Sequence, residues 1–184
     1  MYQSVLQFWF EELTPAQWWQ KSKMLDDDIR QRFGALHRRA CLGELSEWRT
    51  RAQGRLAEII VLDQFSRNIY RDKPEAFAAD GMALVLAQEA ISAGAERGLT
   101  RQQRVFLYMP MMHSESLKVH DVALALFEKN DRLENNNVAD NLAFEQRHRD
   151  IIARFGRYPH RNAVLGREST AEEIAFLQQP GSSF

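Results

Sequence analysis

Three times this 184-residue chain opens a segment with the same short phrase: Thr14-Pro15-Ala16-Gln17, Thr100-Arg101-Gln102-Gln103 and Thr170-Ala171-Glu172-Glu173. A threonine followed three residues later by Gln or Glu is a helix start. The hydroxyl accepts from the third helical amide, and the longer side chain reaches back to the threonine amide. Pro15 sits at a first helical position, where a missing N–H costs nothing. Composition agrees with these signals. Ala (21) and Leu (19) are each about as common as Val, Ile and Thr together (20), and Ala and Leu lose less side-chain freedom in a helix than β-branched residues do. No stretch alternates cleanly with period two, and Asp80-Gly81 is followed by a helical pattern rather than a second strand.

Further boundaries follow from the same chemistry. Asp80 is placed to cap a helix over Met82 to Ser92, with Gly94 ending it. Asn137 is placed to cap a helix from Val138 to Phe155 that Gly156 ends, and Asn135-Asn136-Asn137 reads as a loop. Pro110 breaks or kinks the helix begun at Arg101, and Ser114 can cap the next, with Glu115 in its first turn. The expectation is an all-α fold of about eight to ten helices, forming a single all-helical domain over residues 1–184. The aromatics Phe8-Trp9-Phe10 and Trp18-Trp19 lack the basic face of a membrane-surface helix and are read as anchors docking the first helices on the core.

Charge limits the partners. With 24 Lys+Arg against 25 Asp+Glu, the net charge is −1, so neither nucleic acid nor an anionic membrane is expected as a partner through bulk charge. One cysteine, Cys41, makes neither an intramolecular disulfide nor a multi-cysteine zinc site. The N-terminus has no positively charged leader and meets Glu11-Glu12 early, and no apolar run is longer than that of Met82 to Ala87. A cytoplasmic location is the expectation.

Polar residues then appear where a buried helix should have none. On a helix from Arg55 to Arg71, Leu56, Ile59, Ile60, Leu62, Phe65 and Ile69 spread around most of the circumference, which marks a central helix. Yet Asp63, Arg67 and Arg71 form one stripe flanked by Gln64 and Asn68, and Asp63 and Arg67 are spaced to pair. The stripe is either a structural ion pair or the wall of a polar pocket. In the Val138 to Phe155 helix, His148 sits on a face with Phe144, Ile151, Ile152 and Phe155, as a core histidine satisfied by hydrogen bonds would. Glu145 and His148 match one half of a di-iron Glu-x-x-His pattern, but the second half is missing, and no metal or cofactor is expected. Beyond that helix, Arg157, His160 and Arg161 lie in a loop stiffened by Pro159, an arrangement that can present guanidinium forks to a carboxylate or phosphate. His113 stands at the junction after Pro110, unexplained by capping, and His120 shares a face with Leu117, Leu124 and Phe127 as a packed residue would.

Three of these segments carry a resemblance. Leu62 to Arg71 (LDQFSRNIYR), Tyr108 to Glu115 (YMPMMHSE) and His148 to Asn162, together with the opening Val5 to Phe10 and the closing Phe176-Leu177 and Pro180 to Phe184, resemble the signatures of a bacterial family catalogued as domain of unknown function 924. The resemblance spans nearly the whole chain. It implies a fold similar to the tetratricopeptide-like helical superhelix and implies no established activity.

Three functions remain open on these residues. The first is a helical binding module for a small anionic ligand or a peptide. Its pocket would draw Asp63, Arg67 and Asn68 from the first motif, His113 and Glu115 from the second, and His148, Arg157, His160, Arg161 and Asn162 from the third. Arg157 and Arg161 would hold the anion, and Asp63 would orient Arg67. The second is a hydrolase or lyase with His113 or His148 as general base. The third is a protein-interaction scaffold in which the polar motifs are structural.

Overall fold

A computed structural model describes residues 2–132 and 141–183. Asn137, the proposed cap at that helix start, and the Asn135-Asn136-Asn137 loop lie outside the described residues. Every regular element among the described residues is helical. The chain forms two compact units, Met1–Arg71 with Glu75–Pro110, and Asp72–Pro74 with Met111–Phe184.

The first unit contains α1 (Tyr2–Gln7), α2 (Lys23–Cys41), α3 (Ala52–Ile60), α4 (Ser66–Ile69), α5 (Asp80–Ser92) and most of α6 (Arg101–Met112). A π-helical turn, Val61–Phe65, joins α3 to α4 in one rod. The rod is the centre the apolar pattern called for: Leu56, Ile59, Ile60, Leu62 and Phe65 are fully buried and Ile69 nearly so. Burying each such side chain contributes roughly 1.5–3 kcal/mol. The rod packs against α1, α2 and α5. Of the N-terminal aromatics, Phe8, Trp9 and Trp18 dock as expected, while Trp19 stacks on Phe106 but stays 51% exposed. Phe8 lies 5.0 Å from Phe33, Trp9 sits edge-on to Phe106 at 5.5 Å, and the Trp18 indole N–H donates to the Trp9 carbonyl at 2.8 Å.

The three threonine phrases all start helices. Thr14 and Gln17 bracket a 3-10 turn, Pro15–Trp18, and Thr100 and Gln103 exchange bonds at the start of α6. In the second unit Thr170 and Glu173 do the same for α9 (Ala171–Leu177). Two other boundary expectations change. Asp80 is the first residue of α5 and not its cap, because its carboxylate is turned onto Arg67. Ser114 does not cap the next helix, which starts at Leu117, and its carbonyl receives a bond from His120 instead.

The second unit pairs α7 (Leu117–Arg132) with α8 (Asn141–Phe155). Gly156, at φ 69°, ends α8 with its N–H on the Ile152 carbonyl, a left-handed geometry that glycine takes without a Cβ penalty. A 3-10 turn, Pro159–Arg161, then packs against α9. Ile151, Ile152 and Tyr158 form the local core, with Phe155 and Phe176 against it. Phe144 does not join that face: it is 45% exposed, with the Arg147 guanidinium over its ring.

Candidate functional site

In the first unit the polar stripe closes on itself. The Asp63 carboxylate, fully buried, receives Arg67 at 3.2 Å on one oxygen and the Gln64 amide at 2.7 Å on the other. Arg67 also donates to the Asp63 carbonyl at 3.0 Å and makes a two-pronged contact with Asp80 at 2.8 and 3.0 Å. Asn68 and Arg71 converge on Asp26 of α2, Asn68 at 2.8 Å and Arg71 at 2.6 and 2.7 Å. These bidentate forks tie the rod to α2 and α5, and they fit guanidinium and carboxylate geometry well. The spacing of Asp63 and Arg67 revealed their pairing. The other carboxylates, 13 and 45 residues away from their arginines, left no local signal.

The second unit gathers its polar groups around Tyr158, which is fully buried. The Tyr158 hydroxyl donates to the Met112 carbonyl at 2.6 Å, and its backbone N–H donates to Glu115 at 2.8 Å. Around its ring stand the imidazoles of His160 at 5.4 Å, His148 at 5.8 Å and His120 at 6.3 Å, and the Arg161 guanidinium lies 4.5 Å over the ring. Arg161 is thereby seated by cation–π attraction.

The hydrogen-bond partners set the proton positions. The Ser114 carbonyl can only accept, so His120 Nε2, 2.8 Å away, carries a proton. His120 Nδ1 faces Glu145 at 2.6 Å, and the two share a second proton inside a fully buried pair. His148 donates from Nδ1 to the Phe144 carbonyl at 2.7 Å, which leaves its lone pair on Nε2. Burial drives the His148 imidazolium down to about 3, helped by His113, His120 and His160 and opposed by the bond to Phe144. Burial likewise holds His160 to about 4, with Arg161, His113 and Arg167 adding to the effect and Glu115 opposing it. His113 and His160 are half-buried, so the cluster reaches solvent through them.

The remaining expected residues lock this unit together. Glu115 is gripped by Arg167 at 2.7 and 2.9 Å. Burial pushes its carboxyl up, but that grip and the Tyr158 amide outweigh it and the net direction is down. Arg157, read above as an anion holder, clamps Glu173 at 2.7 and 2.8 Å. Asn162 donates to Ser169 at 3.0 Å and accepts from Arg167 at 3.0 Å. Sequence reasoning missed Glu145, Arg167 and Glu173 as partners, and took His120 for a packed residue alone. The bonds His120 to Glu145, Asn162 to Glu173, Arg167 to Glu115 and Arg157 to Glu173 run over 25, 11, 52 and 16 residues of chain.

Arg157 holds the Glu173 carboxyl well below its ordinary 4.5, at about 2. A depressed carboxyl contributes stability above the ordinary range and loses it as pH falls through its folded value. Arg157→Gln is therefore expected to lower stability most at neutral pH. Its deficit against the wild type should shrink as urea unfolding is repeated from about pH 6 down to about pH 3. A deficit independent of pH would place the effect of Arg157 elsewhere.

Among the described residues, no group of three or more His, Cys, Asp or Glu side chains is arranged to hold a metal ion, and no helix is long and apolar enough to cross a membrane. Comparison with known proteins places the chain. Residues 5–181 match the family model described as "Bacterial protein of unknown function (DUF924)". The chain belongs to this family. Its fold is similar to that of a solved protein of unknown function from Agrobacterium tumefaciens, with 34% identity, 96% of each chain covered and a TM-score of 0.87. No curated protein matches. Every residue of the Tyr158 cluster lies inside the family match.

Proposed function

We propose that the second unit is a binding module for a small oxyanion, a phosphate or a carboxylate. The ligand would be held beside Tyr158 by His113, His148, His160 and Arg161. One observation carries the reading: the imidazoles of His120, His148 and His160 and the Arg161 guanidinium stand around one buried tyrosine ring. The guanidinium supplies the positive charge, and burial above all keeps His148 and His160 as neutral rings beside it. The polar stripe of the first unit supports a structural role there, since its acids and arginines are bonded to one another.

The hydrolase or lyase reading is weaker at His148. A base whose conjugate acid lies at about 3 abstracts protons poorly near neutral pH. The binding reading is tested by thermal unfolding in inorganic phosphate and in citrate. A saturable rise in Tm is expected for the wild type. Arg161→Gln should keep the helical circular-dichroism spectrum and lose most of that rise. An Arg161→Gln protein that folds and is stabilised as the wild type is would refute the assignment.

A further inference from the structure

We infer that the C-terminal half of α2 is an acid-released latch on the central rod: a second proton on His37 frees that half of the helix while the N-terminal half stays tied. The inference concerns the first unit and is independent of the anion-site reading. It starts from the direction of two hydrogen bonds. The Ser66 hydroxyl lies 2.5 Å from the Leu62 carbonyl and 2.7 Å from His37 Nε2. A carbonyl only accepts, so the single hydroxyl proton goes to Leu62, and Ser66 accepts from Nε2–H. His37 Nδ1 has the Cys41 sulfur as its neighbour, at 3.8 Å. A thiol is a weak acceptor, so Nδ1 keeps its lone pair and the ring is neutral.

A second proton would land on Nδ1. His37 and Ser66 are both buried, and that proton would make a buried charge with no good acceptor. The groups facing the ring are Arg38 and Cys41 from α2, and Ser66 and Tyr70, its ring 5.5 Å away, from the rod and its end. Among the described residues Arg38 adds a like charge, and no carboxylate opposes it. The other polar ties between α2 and the rod lie earlier in the helix. Asp26 holds Asn68 and Arg71, and Arg30 donates to the Ile69 carbonyl at 2.5 Å. When the last turns of α2 lift, water solvates the imidazolium. Burial first and Arg38 second make the docked ring a weaker base than a free one. The latch is therefore at full strength above the ordinary 6.5 and weakens as pH falls below it.

Hydrogen exchange followed by mass spectrometry, corrected for intrinsic rates, tests this on the wild-type protein at about pH 7.5 and about pH 5.5. Protection of residues 35–41 should fall by up to about tenfold per pH unit below the ordinary histidine range, while residues 24–30 keep theirs. In His37→Gln the amide can still donate to Ser66 but does not titrate, so protection of residues 35–41 should be equal at the two pH values. Wild-type protection that is equal at both, or a loss in His37→Gln that matches the wild type, overturns the latch. If His37→Gln does not fold, nitrogen NMR of the wild-type imidazole decides. A ring neutral with its proton on Nε2 at pH 7.5, charging as protection is lost, supports the latch. A ring already charged at pH 7.5, or one that charges while protection holds, overturns it.

Discussion

Glu145→Ala is expected to destabilise the second unit by about 3–5 kcal/mol, the cavity and the lost hydrogen bond together, measured by urea unfolding near neutral pH. Glu145 and His120 are both fully buried, and their 2.6 Å contact joins α8 to α7. Alanine would leave His120 Nδ1 facing an apolar void, with both a lost partner and a cavity to account for. The second carboxylate oxygen of Glu145 finds no hydrogen-bond partner among the described residues, and burial pushes its carboxyl up. A bare charge on that oxygen would be expensive, so the pair is best described as an un-ionised carboxyl against a neutral ring. Glu145→Gln imitates that form, with an amide N–H facing Nδ1, and should lose no more than about 1–2 kcal/mol. Equal losses for Ala and Gln would instead mean a true carboxylate and imidazolium.

Gly54→Ala is the second large effect, and its sign is set by competition. Alanine in a helix interior gains about 1 kcal/mol over glycine. Against this, a Cβ at Gly54 would lie 2.1 Å from the Trp48 carbonyl oxygen and 2.9 Å from its carbon. Both are backbone atoms of the 3-10 turn Ser46–Thr50, so no flexible side chain can swing away. The clash should win, with a net loss of about 3 kcal/mol and a lower Tm. An unchanged or raised Tm would show that the turn carrying Trp48 yields.

What could be read from the chain alone divides by distance along it. The three threonine phrases work within four residues, and all three start helices. The central rod was visible because its apolar residues crowd every side of one helix. One partner of His148 is local, the carbonyl of Phe144 four residues back, as its place on an apolar helix face predicts. Phe144 itself was misjudged, because periodicity marks a face without saying where that face stops being covered. The local pattern predicts caps at Asp80 and Ser114 that neither residue makes. Each carries a group that a distant partner uses instead, Arg67 for the Asp80 carboxylate and His120 for the Ser114 carbonyl. The pairs Glu115 with Arg167 and Arg157 with Glu173 join residues 52 and 16 apart, beyond any helical spacing rule. The sequence identified which residue types to watch; only the fold says which of them hold one another.

The wide turn at Val61–Phe65 has a consequence for how the chain can change over time. A π turn carries one residue more than an α turn over the same rise, and each residue in a helix rotates the next by about 100°. Delete one residue there, and the turn can close to α geometry while the residues downstream keep their facing, with Arg67 still on Asp80 and Asn68 and Arg71 still on Asp26. The same deletion in the α-helical part of the rod would swing everything downstream by that angle. The bulge is therefore the one place on the rod where a single-residue gap can be absorbed.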